Sequence, residues 1–166
     1  MRKILRQQFM DKISEVAFMI EKEKDNIKNS LFKTHPAAPF LFDSLESLSF
    51  HEPTEDIFQK LLNSAENSIL AFYLLAKETP LKRKIDIPFY EQVLNKNKDE
   101  FMKLADSDKL NKELIEKFLL NSFQPEVYTL LYITFPQVAE NEWDKSIAFI
   151  IFLRVKSFLD CLNMAY

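Results

Sequence analysis

Glycine is absent from the 166 residues, where an average usage of about 7% would place roughly 12. That absence excludes several chemistries at once. The dinucleotide-binding fingerprint, the Walker phosphate loop, the kinase Gly-rich loop and the G-x-S-x-G nucleophile elbow all need glycine where the backbone turns sharply or meets a phosphate. Cysteine is nearly missing too. Cys161 stands alone, so no internal disulfide forms and no multi-cysteine metal site exists. A reducing compartment fits this usage, and the expected location is cytoplasmic.

Histidine is limited to His35 and His51. The residues three places before them are Phe32 and Leu48, so the Glu-x-x-His pairs of dimetal helical proteins are not present. His51-Glu52-Pro53-Thr54-Glu55 lacks the second histidine of a zincin and carries a proline inside. Asp106-Ser107-Asp108 opens like a calcium loop. It then has Leu110, Asn111 and Lys117 where a ligand, a glycine and a glutamate are required. No metal and no cofactor are expected. His35 and His51 read as turn or surface residues beside prolines.

Long apolar runs are also lacking. Ile69 to Ala76 and Ile147 to Leu153 are the longest, far below the roughly 20 residues that span a bilayer. The opening Met1 to Gln8 is basic without an apolar run behind it, which argues against a signal peptide. Net charge is −3, so general nucleic-acid binding is not expected.

What the chain does contain is 47% hydrophobic and 28% charged residues. That supports a core with a charged shell, on a length suited to one domain. Leu5, Phe9, Ile13, Val16, Ile20, Ile27 and Leu31 recur at steps of three and four. They predict an amphipathic helix over about 2–32, interrupted on its apolar stripe only by Lys24. His35-Pro36-Ala37-Ala38-Pro39 stops it, because a proline disfavours helix in the residue before it. Phe40 to Phe50 is either a short helix or a structured loop within an irregular segment over 34–53.

Thr54 is a good N-cap for a helix to about Lys77. Pro80 to Pro88 is a connection carrying Lys82-Arg83-Lys84, and Pro88 begins the next helix, through Leu104. Further helices are predicted from Ser107 or Asp108 to Ser122, from Pro125 to Phe135, and from Asn141 to Ala165. In the last, Ile147 to Leu153 reads as the buried centre, and Cys161 as a small buried hydrophobe. Strand signals are weak throughout. The expectation is an all-α, compact single-domain bundle of six or seven helices. Leu61-Leu62-Asn63-Ser64 recurs as Leu119-Leu120-Asn121-Ser122, which reads as coincidence in a chain rich in these residues.

Three surfaces are candidates for function. Leu5, Phe9, Ile13, Val16 and Ile20 form a narrow stripe suited to a dimer seam or a partner helix. Phe40, Phe42, Leu45 and Phe50 form an apolar ledge or pocket wall. Lys82, Arg83 and Lys84 offer an anion contact, or are simply a solvated charge run. The expected function is a non-enzymatic protein–protein interaction or regulatory module, acting on another protein or as a homodimer. The alternative is a binder of a small apolar ligand in a Phe-rich pocket.

Overall fold

The apolar steps of three and four become helices in the computed structural model, which describes residues 6–48, 55–104 and 142–166. Five helices lie among the described residues: α1 (Arg6–Thr34), α2 (Ala37–Glu46), α3 (Glu55–Ala76), α4 (Ile87–Leu104) and α5 (Glu142–Ala165). No strand occurs among the described residues, so the chain is all-helical there. The helices expected over 107–122 and 125–135, the second copy of the Leu-Leu-Asn-Ser echo, and His51 lie outside the described residues.

On α1 the predicted stripe is buried at Val16, Ile20, Ile27 and Leu31. Lys24, the one charge on that stripe, is neutralised in place. Its Nζ lies 2.6 Å from Glu66 Oε2, and Lys28 Nζ lies 2.9 Å from Glu66 Oε1. A charge on a buried face needs such a partner, because desolvation alone is costly. The helix breaks its dihedrals one residue earlier, at Glu23 (φ −130, ψ 25).

The proline segment behaves differently from expectation. It ends α1, but it is also the first turn of α2, which starts at Ala37 and runs through Glu46. Pro39 is the third helical residue, where a backbone N–H has no intrahelical partner to lose. The buried N–H of Ala37, with no acceptor inside the helix, is satisfied from outside, donating to the Ile85 carbonyl at 3.0 Å. The start of α4 also moves, from Pro88 to Ile87. Asp86 caps it, its Oδ1 accepting the Phe89 N–H at 2.9 Å.

Burial on α5 covers its longest apolar run and continues beyond it. Within the run Ile147, Ile151 and Phe152 are buried and only Ile150 is exposed, at 39%; after it Val155, Phe158, Cys161 and Leu162 are fully buried. Their steps of three and four face the inside, where α5 packs on both α3 and α4, and α3 packs in turn on α1. Buried side chains of the five helices form one hydrophobic core cluster. Each fully buried Leu or Phe contributes about 1.5–3 kcal/mol by leaving water.

Candidate functional site

α4 turns Phe89, Val93 and Asn97 inward at steps of four, and α5 answers with Lys156, Asp160 and Asn163. Between them is a cleft of about 420 Å³, walled by Phe89, Val93 and Met164 and rimmed by Gln92, Lys96 and Glu100. Its floor is polar and buried. Asn97 Nδ2 donates to Ser157 Oγ at 3.0 Å and to Asp160 Oδ2 at 2.8 Å. Lys156 Nζ donates to the same Asp160 oxygen at 2.7 Å and to Asn97 Oδ1 at 3.3 Å. Ser157 Oγ in turn donates a hydrogen bond to the Leu153 carbonyl at 2.7 Å. Asn97, Lys156 and Ser157 are all below 5% exposure. A buried ammonium is tolerable only when paired and hydrogen-bonded, and one amide on α4 holds both members of the α5 pair in register.

A second cleft, of about 320 Å³, lies between α2 and α3. Phe42, Leu45, Phe58 and Leu62 form its apolar side, and Lys28, Glu46 and Glu66 its charged side. Lys28 Nζ stands 4.7 Å from the Phe42 ring centroid, a cation–π distance. Burial pushes the Glu66 carboxyl up, but hydrogen bonds and charge from Lys24 and Lys28 outweigh it and hold it below the usual carboxylate range.

The expected ledge is divided by the fold. Phe42 and Leu45 line the α2–α3 cleft, whereas Phe40 points elsewhere, 41% exposed, with its ring edge-on to Tyr90 at 6.4 Å. Phe50 lies outside the described residues. Residues two apart on a helix point to nearly opposite sides, which separates Phe40 from Phe42. The expected partner stripe also changes meaning. Val16 and Ile20 sit in the chain's own core at 6% and 7% exposure, because α3 covers that face of α1. Leu5 and the side chains of Phe9 and Ile13 lie outside the described residues.

The basic run has a definite place. Lys82 and Arg83 donate their backbone N–H groups to the Ala165 carbonyl, at 2.7 and 3.3 Å. They thereby satisfy the C-terminal end of α5, where positive charge is also favoured by the helix dipole. All three side chains are exposed. The Arg83 guanidinium lies 3.6 Å from the Phe89 ring centroid, which brings the run to the mouth of the α4–α5 cleft.

His35 is the residue that sequence reasoning misplaced. It is fully buried. Its Nδ1 accepts the Ile85 N–H at 3.2 Å, so the proton resides on Nε2, which donates to Tyr166 Oη at 3.2 Å. The ring also meets Tyr73 and Tyr166 edge-on, at 6.0 and 5.6 Å. Burial, then the nearby Lys84 charge, lower its pKa to about 4. Burial and the adjacent Tyr73 push the Tyr166 phenol up to about 12. His35 is therefore a neutral tie between the α1–α2 corner, the 81–86 segment and the end of α5. No spacing signalled this, since its partners are 50 and 131 residues away. Asn97 did carry a signal, as a polar residue on the inward stripe of α4.

Cys161 is buried as expected, and burial followed by the Asp160 charge raises its thiol pKa. Among the described residues no group of three or more His, Cys, Asp or Glu is arranged to hold a metal. No helix among them is long and apolar enough to cross a membrane. Comparisons with protein families, curated proteins and solved structures find no match to this chain.

Proposed function

We propose that the chain is a non-enzymatic, cytoplasmic interaction module, a single-domain bundle of six or seven helices that takes a segment of another protein into the α4–α5 cleft. The observation that carries this reading is the combination of apolar walls (Phe89, Val93, Met164) with a buried polar floor fixed by Asn97, Lys156 and Asp160. A cleft of about 420 Å³ lies within the range that accommodates a ligand or an anchoring side chain. A floor held by hydrogen bonds between two helices needs little reorganisation on binding, which limits the entropic cost of association. The groups with the most catalytic reach serve the fold instead: His35 ties three segments, and Cys161 is sealed in the core.

The test is a photo-crosslinking residue at Gln92, on the exposed rim of the cleft, in protein expressed in its own host. A covalent adduct with one defined polypeptide is expected, abolished when Met164→Trp fills the cleft in the same chain. Adducts that ignore Met164→Trp contradict the reading. A second reading, a small apolar ligand, is favoured by the Phe42, Leu45 and Phe58 side of the α2–α3 cleft. It predicts a bound small molecule that dissociates from a Leu62→Glu variant.

A further inference from the structure

The end of the molecule where the 80–86 segment meets α4 and α5 sets exposed apolar residues beside a run of three cations. Leu81, Ile87 and Met164 are large apolar residues at 42%, 37% and 44% exposure. Lys82, Arg83 and Lys84 lie among them and form no ion pair with a described side chain. The residues are held together by the backbone. The two N–H groups on the Ala165 carbonyl fix the basic run beside Met164, and Arg83 stacked on Phe89 fixes it beside the cleft. The carboxylates nearest the run have other partners. Glu78 is paired with Lys12, and Asp86 is engaged in capping α4. The half-charge at the α5 terminus offsets only part of three cations.

We infer that this end docks an acidic, apolar-bearing segment of a partner protein, with an apolar side chain in the α4–α5 cleft and carboxylates over Lys82, Arg83 and Lys84. The inference rests on the interaction-module reading and names the chemistry of its partner. Charge complementarity selects an anionic occupant, and the exposed apolar residues select one with apolar side chains to bury. A protein segment suits this better than a lipid surface or a nucleic acid. Membrane recognition uses clusters of about 4–8 basic residues, and nucleic-acid affinity rises with the number of phosphates neutralised. Three cations on a chain of net charge −3 match a short acidic stretch.

The experiment uses the full chain and a labelled synthetic peptide of about 15 residues, roughly four helical turns, with Leu and Phe on one face and Glu and Asp on the other. Anisotropy is expected to report saturable binding that weakens with salt. It should fall about tenfold in the triple variant Lys82→Gln, Arg83→Gln, Lys84→Gln, which keeps the backbone N–H donors. Gln92→Trp, narrowing the cleft, should weaken it comparably. A peptide with Lys replacing Glu and Asp should not bind. The inference is overturned by absence of binding up to about 1 mM, by binding unchanged in the triple variant, or by tighter binding of phosphatidylserine vesicles or of a single-stranded oligonucleotide. Sensitivity to Gln92→Trp without sensitivity to the triple variant removes the acidic partner and leaves the cleft reading standing. Sensitivity to the triple variant alone keeps the acidic partner and removes the cleft.

Discussion

His35 illustrates how one residue holds distant parts of this chain together. In the folded state its pKa is about 4, against 6.5 in the unfolded chain. Between these values the unfolded chain binds more protons, so stability falls as pH drops from 6.5 towards 4. Above 6.5 the contribution is fully present; below 4 the profile flattens again for this residue. The loss is on the order of 3 kcal/mol, read by urea denaturation across that window. A His35→Gln variant is expected to be less stable at neutral pH and to lack this segment of the profile. Lys156 and Asp160 make a second residue-level case. Asp160→Asn removes the charge opposite a buried ammonium and is expected to cost about 3 kcal/mol. The double variant Lys156→Met, Asp160→Leu should recover much of that loss, because no lone charge then remains buried. Cys161, the only thiol, is expected to react with an aromatic disulfide reagent only when the core opens, so its rate should rise with denaturant.

At the scale of elements, the long stripes were legible and the corners were not. Val16, Ile20, Ile27 and Leu31 follow helical spacing, and burial follows that spacing directly. Lys24 broke the pattern on paper but not in the fold, because Glu66 of α3 reaches it. Nothing in the spacing of α1 could announce a partner 42 residues on. The same limit explains α2. Its first N–H is satisfied by Ile85, from another connection, so a proline-rich stretch that locally reads as a break can begin a helix. Asp86 was legible in principle, as a cap residue just ahead of Ile87 and Pro88. Asp86→Ala is expected to lower stability by about 1 kcal/mol. Glu66→Gln should cost a similar amount, about 1 kcal/mol after allowance for its partial exposure, and less at high salt. Chemical denaturation of each variant checks both.

At the scale of the whole molecule, composition indicated what the chain lacks, and the fold determines what its surfaces offer. The missing glycines removed phosphate-cradling loops, and the helices of the described residues followed from the periodicity. The candidate site did not follow from it. The α4–α5 cleft depends on which faces of two helices meet, and those helices are separated by a stretch of the chain outside the described residues. The sequence signal for it is Asn97, a polar residue in register with Tyr90, Val93 and Phe101 on the apolar stripe of α4. Phe42 and Leu45 line a cleft shared with α3, and Phe40 lies apart from it, against Tyr90. The basic run looked like a solvated segment, and its position against Ala165 and Phe89 gives it a place at the cleft mouth.

The proposed role of the protein is to hold a partner polypeptide in the α4–α5 cleft. Native mass spectrometry of the full chain purified from its own host tests it most directly, with wild type and Gln92→Trp compared side by side. Wild type is expected to carry a second polypeptide of defined mass, and Gln92→Trp, equally folded, is expected to lack it. A wild-type monomer carrying only a stoichiometric small molecule, or a partner retained undiminished by Gln92→Trp, would contradict it.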